Sequence, residues 1–196
     1  MEDKKKVLEI IAGKLEGMLW AIFAGTAVEI YTHGKRIGND IDIIVPDDSI
    51  DEVGKRFNVA PVLETREKGD VKIINDYHIE TVVEGVSVEF VGKTEKFIID
   101  GYEYDSTKNL RETLFPKVEK KTYLGVEVFV VSVEELLVQK MLFNRSGKWQ
   151  DENDVNLLLK IKEVNEEALI KALDRWRVPD EKRENFIDRI KNQKLI

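Results

Sequence analysis

The chain of 196 residues has no cysteine, only four prolines and only two histidines. Without cysteine it can form neither disulfide bonds nor thiolate metal sites, and an intracellular, cytoplasmic location is the default expectation. No apolar run approaches the length of a membrane-spanning helix, and the charged N-terminus is unlike a secretory signal, so we expect no membrane partner. The net charge of −7 argues against broad, non-specific nucleic-acid binding and leaves room only for a local basic surface.

Several common functional motifs are also missing. The sequence has no P-loop, no dinucleotide-binding glycine pattern and no His-Glu-x-x-His helix. His33 and His78 are isolated and form neither a zinc site nor a convincing catalytic triad. The sequence does contain 42% apolar and 35% charged residues, which is typical of a soluble globular protein with one substantial domain, alone or with a small appendage.

The periodicity of apolar residues predicts strands in the first part of the chain and helices in the last. Two pairs, Ser49 with Glu52 and Ser132 with Glu135, are typical of capping boxes that begin helices. Strands followed by helices predict an α+β fold, with a sheet domain over residues 1–131 and a helical C-terminal domain over 132–196. The predicted strands are 20–24, 40–45, 60–64, 71–74, 78–83, 86–91 and a pair bracketing Gly125 that ends at 128–131. The predicted helices are 3–19, 27–32, 50–57, a helix from Ser132 to about Phe143, and 150–160, 165–176 and 180–192.

The strand GNDIDIIV at 38–45 carries two acids on one of its faces. Side chains alternate along a strand, so Asp40 and Asp42 share one face while Ile41, Ile43 and Val45 share the other. Like charges on neighbouring positions of one face repel, and burial raises their cost. Either a positive group compensates these carboxylates, or they lie at an open, hydrated edge.

The residues around that strand resemble a known superfamily. Gly25 and Thr26 follow the strand at 20–24, and thirteen residues lie between Thr26 and Asp40. This spacing resembles the nucleotidyltransferase superfamily that includes DNA polymerase beta, whose signature is a Gly-Gly or Gly-Ser turn followed by Asp-x-Asp. The stretch AGTAVEIYTHGKRIGNDIDIIV is similar to the small prokaryotic nucleotidyltransferases related to AbiEii toxins, and SVEELLVQKMLFNRSGKWQDENDVNLL resembles their first tail helices. The pattern Gly-x-Arg-x-x-x-Asp-Ile-Asp of that group is met here by Gly34, Arg36, Asp40 and Asp42.

The resemblance implies a nucleotidyltransferase-like mixed sheet with flanking helices and a Mg²⁺-dependent reaction. A nucleoside triphosphate would donate its monophosphate to an acceptor hydroxyl and release pyrophosphate. Asp40 and Asp42 would hold magnesium through hard oxygen ligands, which supplies the positive charge that the two acids need. Gly25 would let a phosphate approach the backbone, and the Thr26 hydroxyl, where the superfamily usually has Ser or Gly, would donate to a phosphate oxygen.

The superfamily also uses a third acid on a neighbouring strand. Glu89 is the best candidate, because Val88 and Phe90 beside it point the opposite way. It would serve as a metal ligand or as the general base toward the acceptor hydroxyl. Glu80 and Glu84 compete for this role, and an ordinary acid on a solvated strand face is the alternative for Glu89 itself.

Further positions match charged residues of the resembling proteins. A lysine at the position of Lys140 reaches toward the triphosphate there, although a lysine among apolar helix residues usually extends to solvent. Arg36 is expected to contact phosphate, because it lies in the segment that delivers the aspartates. Asp151 and Asp154 match tail aspartates of the resembling proteins that handle the acceptor or the base, and Asp154 is expected to contact the nucleotide. The first turn of a helix favours Asp151 without such a role. Two basic residues between these helices are either substrate contacts or surface charges: Arg145 and Lys148.

The sequence therefore predicts a nucleotidyltransferase that binds a nucleoside triphosphate, ATP among the options, and acts on tRNA, a protein or a small molecule. The AbiEii-like resemblance implies a cognate antitoxin as a further partner. A catalytically inactive relative that acts as a binding or antitoxin-like partner protein is the first alternative. The second is an α+β regulatory domain in which the Asp-x-Asp pair is a coincidence.

Overall fold

One mixed β-sheet with flanking helices forms the centre of the protein. The structure is a computed structural model that describes residues 2–68, 71–105, 115–143, 149–161 and 163–193. Its strands are β1 Ala21–Phe23, β2 Asp40–Ile44, β3 Val62–Lys68, β4 Val71–Val83, β5 Val86–Ile99, β6 Tyr102–Asp105, β7 Glu119–Tyr123 and β8 Val126–Val130. Its helices are α1 Glu2–Lys14, α2 Ala24–Tyr31, α3 Ile50–Phe57, α4 Val133–Leu142, α5 Trp149–Ile161, α6 Glu166–Arg175 and α7 Asp180–Gln193.

The strands of the described residues join in the order β3-β4-β5-β2-β1-β8-β7, with β6 paired to the far half of β5. β2 runs parallel to β5 and β1 runs parallel to β8, while the other pairs are antiparallel. The last four helices follow the sheet in sequence. The α+β class with a mixed sheet and flanking helices is therefore confirmed.

The aspartate strand β2 has the two-faced character that its alternation predicts. Ile41 and Ile43 are completely buried in the core, whereas Asp40 is exposed and Asp42 is half-buried. Because β2 lies between β5 and β1, its acids are held at the middle of the sheet. The two carboxylates thus lie on an open face rather than inside the apolar core.

The turn from β1 into α2 differs from the prediction. The helix was expected at 27–32 after a break at Gly25 and Thr26, but it begins at Ala24 and includes both residues. The break is made by Ala24 itself, whose φ of 50° turns the chain sharply between strand and helix. The prediction for 3–19 was also too long, because α1 ends at Lys14 and the chain turns at Gly17 with a φ of 77°.

The strands after α3 are longer than predicted. Residues 71–74 and 78–83 belong to the one strand β4, and β5 continues beyond residue 91 to Ile99. Asn75, with a φ of 48°, interrupts the alternation in β4 without ending the strand. A broken polar and apolar pattern therefore marks an irregularity in a continuous strand, not a loop.

Of the two predicted capping boxes, one is not formed and the other is formed only in half. Ser49 makes no side-chain capping bond at the start of α3, and the carboxylate of Glu52 pairs with Arg56 instead, so that prediction was wrong. Ser132 does accept a hydrogen bond from the amide of Glu135 at 3.4 Å, which is one half of a capping box. The Glu135 carboxylate instead faces Arg175 and Trp176 of the last helices.

Candidate active site

The strand register brings Asp42 and Glu89 side by side. Asp42 is the register partner of Phe23 on β1 and of Glu89 on β5, and Asp40 is the partner of Ser87. Partners on adjacent strands point to the same face of a sheet. These three acids accordingly line one cavity of about 520 Å³, together with Gly25, Arg36 and Lys140.

The competing acids lie elsewhere. Glu80 is also a register partner of Glu89, but its side chain is 65% exposed and contacts Arg66. Glu84 lies in the turn between β4 and β5, where it bonds Lys6 at 2.8 Å. Of the three glutamates proposed for the third acid, Glu89 is the one that lines the cavity with Asp42.

Gly25 makes room for an arginine. A Cβ atom at Gly25 would lie 2.6 Å from Nη1 of Arg36, so any larger residue would displace the guanidinium. Gly38 approaches the same nitrogen, since a Cβ there would lie 3.0 Å from it. Nη1 is buried and has no hydrogen-bond partner among the described residues, which leaves one directed donor for a ligand at the cavity. A close approach of phosphate to Gly25 itself stays a prediction.

Thr26 connects α2 to the start of β2. Its side chain is fully buried, and its hydroxyl donates to the carbonyl oxygen of Asp40 at 2.6 Å. The proton that was expected to go to a phosphate oxygen is therefore used inside the protein. A phosphate contact through Thr26 would require this bond to break.

A chain of buried ion pairs joins the first part of the protein to its last helices. Nε of Arg36 donates to Asp154 at 2.9 Å, Lys140 lies 2.9 Å from the other oxygen of Asp154, and Lys140 also donates to Asp151 at 2.9 Å. Lys140 is only 9% exposed, so the alternative that it extends to solvent is wrong. Because charges are buried only when they are paired, these four residues hold one another in place.

Asp154 has a different position from the one predicted. It was expected to contact the nucleotide, but it is not among the described residues that line the cavity, and it is 1% exposed. Its carboxylate instead holds both Arg36 and Lys140, the two cations predicted to contact phosphate. Asp151 does line the cavity. Arg145 and Lys148 lie outside the described residues.

Arg66 is a cavity residue that sequence reasoning missed. It lies on the edge strand β3 and contacts three carboxylates, those of Asp76, Glu80 and Glu89. Its neighbours in the strand, from Glu64 to Lys68, are all polar, as in a solvated edge strand, so no signal in the sequence singles it out. Burial opposes its charge, but the nearby Glu89 and Asp76 outweigh this effect and raise the pKa of Arg66.

One wall of the cavity is aromatic. Phe97 of β5, Phe143 at the end of α4 and Trp176 at the end of α6 are half-buried and line the cavity together. Their ring centroids lie 4.8 to 6.0 Å apart. The indole N–H of Trp176 donates to Glu135 at 3.1 Å, which fixes the orientation of the ring. The cavity is thus lined by aromatic rings as well as by charged side chains.

A buried glutamate fixes the loop that precedes Asp40. Glu29 of α2 accepts hydrogen bonds from Lys4 at 2.6 Å, from the amide of Gly38 at 3.0 Å and from the Tyr123 hydroxyl. Burial alone would raise the pKa of Glu29, but these hydrogen bonds outweigh it and hold the pKa below its usual value. Glu29 is therefore an ionised anchor for Gly38, which lies two residues before the acidic strand.

The acids of the cavity provide some, but not all, of the ligands that a bound magnesium ion needs. Within the described parts of the chain, no group of three or more His, Cys, Asp or Glu side chains is assembled closely enough to hold a metal ion. Mg²⁺ in such sites is commonly bound by one or two carboxylates plus substrate phosphates. The exposed Asp40 and half-buried Asp42 fit that simpler requirement, since both line a cavity that is open to a phosphate ligand.

Comparison with known proteins identifies the fold. No protein-family model and no curated protein matches the chain. A candidate nucleotidyltransferase from Thermotoga maritima is 16% identical, with a TM-score of 0.56 over 78% of this chain and 91% of that one. An antigenic nucleotidyltransferase-like protein from Paracoccidioides brasiliensis is 17% identical, with a TM-score of 0.52 over 97% of this chain and 93% of that one.

A third structure is that of ANT(2'')-Ia in complex with adenylyl-2''-tobramycin. It is 12% identical, with a TM-score of 0.54 over 90% of this chain and 97% of that one. At these identities the likeness establishes the fold, which is that of nucleotidyltransferases.

None of the helices in the described residues is both long and apolar enough to cross a membrane.

Proposed function

We propose that this protein is a Mg²⁺-dependent nucleotidyltransferase that transfers a nucleoside monophosphate from a nucleoside triphosphate to an acceptor hydroxyl and releases pyrophosphate. The observation that supports it best is the convergence of Asp40, Asp42 and Glu89 on one cavity with Arg36 and Lys140. Paired acids for a divalent ion and cations for a triphosphate are what this chemistry requires.

The two aspartates would hold the metal. Asp40 and Asp42 offer hard oxygen ligands on the open face of β2, with their strand fixed by Thr26 and by the Glu29 anchor. When bound, magnesium neutralises charge on the phosphate oxygens and on the departing pyrophosphate. The backbone at the start of this strand is held by the protein itself, which reduces the cost of ordering the site.

The triphosphate would contact the cations behind the acids. Nη1 of Arg36 is directed between Gly25 and Gly38 at the start of α2, where helix amides also attract anions. Lys140 carries a second positive charge into the same cavity. Asp154 serves as a positioning residue, because it fixes both side chains without lining the cavity.

Glu89 would act on the acceptor. It lies beside Asp42, and Arg66 holds one of its oxygens in place. A carboxylate beside the reacting phosphate can accept the proton of the acceptor hydroxyl as it attacks. We expect the sheet region over 1–131 to supply the acids and the helical region over 132–196 to close the cavity and choose the acceptor.

The acceptor class is open to a direct test. ANT(2'')-Ia, which has a similar fold, was crystallised with adenylyl-2''-tobramycin, and this supports a small-molecule acceptor as one candidate here. The aromatic side chains of Phe97, Phe143 and Trp176 would suit a ring of the donor or of the acceptor. tRNA and protein hydroxyls remain the other predicted acceptors, and a cognate antitoxin remains a predicted partner.

One observation favours an inactive binding protein as the second candidate. Arg66 already donates a hydrogen bond to an oxygen of Glu89, and the Thr26 hydroxyl already donates one to the carbonyl oxygen of Asp40. A relative that had lost catalysis would keep the cavity but would not need a free third acid. Such a protein would bind a nucleotide or a partner without releasing pyrophosphate.

The first experiment is a thermal shift with each nucleoside triphosphate, with and without Mg²⁺. We expect one triphosphate to raise the melting temperature only when magnesium is present, and Asp40→Asn and Asp42→Asn to abolish this rise. Asp188→Asn on α7, an exposed acid, is the matched control and should respond like the unmodified protein. No shift with any triphosphate would contradict the proposal.

The second experiment measures turnover. Labelled triphosphate is incubated with total tRNA, with proteins and with small hydroxyl compounds, and pyrophosphate release is scored. Release that depends on Asp42 and on one acceptor supports the enzyme. Magnesium-dependent binding without release into any acceptor supports the inactive binding protein.

A further inference from the structure

Arg66 is held by three acids at the edge of the candidate active site. Its side chain is 10% exposed, and it bonds Glu89 at 2.5 Å and Glu80 at 2.9 Å as well as the buried Asp76. Arg66, Asp76 and Glu89 all line the cavity that contains Asp40 and Asp42. A fixed positive charge thus lies beside the acid that is the register partner of Asp42.

Irregularities in two strand pairs create this arrangement. The β3–β4 register shifts between Glu64 and Arg66, and the β4–β5 register shifts between Asp76 and His78. Ile73 and Asp76 are three positions apart, which puts side chains of a regular strand on opposite faces, yet both line the cavity. Bulges of this kind re-aim side chains next to functional sites.

The buried acid of the cluster is itself fixed. Asp76 is 1% exposed and accepts a hydrogen bond from Thr94 at 2.7 Å in addition to its contact with Arg66. Arg66 therefore cannot move without leaving a buried carboxylate with less compensation. The guanidinium is a rigid part of the cavity wall rather than a side chain that samples solvent.

The guanidinium of Arg66 supplies a fixed positive charge at a place where a metal ion could otherwise supply one. It is ionised at every physiological pH, and its planar donors match carboxylate oxygens. By bonding Glu89 it compensates the charge that Glu89 adds beside Asp42, and it repels a further divalent ion from the same oxygen. The absence of a three-acid metal group among the described residues agrees with this arrangement.

We propose that Arg66 takes the electrostatic place of a second divalent ion, so that the protein binds one Mg²⁺ with its nucleotide, at Asp40 and Asp42. The statement presupposes the proposed nucleotidyl transfer and specifies its metal requirement. Glu89 then belongs to the acceptor side of the site, positioned by Arg66, and is not a metal ligand. Arg66 is a positioning residue, because it acts through Glu89.

The test counts bound ions directly. Mn²⁺ is titrated against the protein and the α,β-methylene analogue of the stabilising triphosphate, and free Mn²⁺ is measured by electron paramagnetic resonance. We expect about one analogue-dependent ion per chain in the unmodified protein and about two in Arg66→Met, because the freed Glu89 and Asp42 can then share an ion. Lys55→Met, which removes an exposed charge from α3, is the control and should retain about one ion.

The possible outcomes separate the two proposals. Two ions in the unmodified protein, or one ion in a folded Arg66→Met protein, would overturn the role of Arg66 and leave nucleotidyl transfer standing. Loss of Mn²⁺ binding in Asp42→Asn identifies the first ion. If no variant binds Mn²⁺ with the analogue, the proposed function itself fails.

A second variant keeps the test decisive if Arg66→Met does not fold. Arg66→Met combined with Asp76→Asn removes one positive and one negative charge from the cluster, so the net charge of the cluster is unchanged. Circular dichroism and thermal unfolding establish that it is folded. It should also bind about two ions, and a folded double variant with one ion would overturn the proposal.

Discussion

Asp42 and Glu89 are register partners on the parallel strands β2 and β5, and both line the same cavity. The pairing explains how a sheet holds two acids close together without burying either in the apolar core. One acid of the pair is bonded by Arg66, and the other shares its face with Asp40. The charge of Glu89 is therefore compensated by the protein, whereas Asp40 and Asp42 are the acids proposed to bind the metal.

Gly25→Ala should disable nucleotide binding. The new Cβ would lie 2.6 Å from Nη1 of Arg36, so the guanidinium must move and its bond to Asp154 is strained. We expect a loss of about 1–3 kcal/mol in the free energy of unfolding, as for other overpacked sites, and no thermal shift with triphosphate and Mg²⁺. Gly13→Ala in α1 is the control, because nothing lies within 4 Å of its new Cβ, and it should be neutral or stabilising.

Thr26→Val should distinguish the contribution of the Thr26 hydroxyl to stability and binding from the contribution of the side chain's shape. Valine fills the same space but leaves the carbonyl oxygen of Asp40 without its 2.6 Å hydrogen bond. Chemical denaturation should show a loss of about 1–3 kcal/mol, and the affinity for triphosphate should fall because the start of β2 is no longer held. Thr26→Ser keeps the donor and should retain most of that affinity. Equal behaviour of the two variants would contradict a role for this bond.

Asp154→Asn should be strongly destabilising although it does not line the cavity. It removes the charge that compensates both Arg36 and Lys140, and breaking a buried ion pair in this way costs about 3–5 kcal/mol. The measurement is urea unfolding, followed by triphosphate binding on the folded fraction. Asp174→Asn, which removes an exposed pair with Arg183, is the control, and it should cost about 1 kcal/mol or less.

Glu29 should make the stability of the folded protein fall as the pH is lowered into the acid range. Its pKa is held below the usual value in the folded protein, because hydrogen bonds from Lys4, Tyr123 and Gly38 outweigh the effect of burial. The stabilisation is therefore present above the unfolded pKa, about 4.3 for glutamate, and is lost as the pH falls through the lower folded pKa. Thermal unfolding from pH 7 to pH 3 should show a steeper acid loss in the unmodified protein than in Glu29→Gln. Parallel curves would exclude this contribution.

Part of the site could be predicted from the sequence, because side chains along a strand alternate between its two faces. The alternation around Asp40 and Asp42 predicted that both acids share one face of the strand, and the same rule placed Glu89 opposite to its buried neighbours. Both predictions succeed where the strands are regular. The α+β class followed equally from strands that precede helices.

The rest depended on contacts that no local pattern encodes. Arg66 reaches the cavity only because the register shifts beside Asp76, and a shift cannot be read from one strand alone. Asp154 was matched by resemblance to the nucleotide site, yet its position is decided by two cations from distant elements. The helix start at Ala24 was missed because a non-glycine residue with positive φ is uncommon.

The bond between Arg36 and Asp154 joins positions 118 residues apart. During synthesis, the acidic strand therefore leaves the ribosome long before the helix that orients its arginine. An unfinished chain would present Asp40 and Asp42 with Arg36 still unanchored, and we expect it to hold no triphosphate. The chain would gain the ability to bind triphosphate only once α5 has been synthesised and has packed against Arg36.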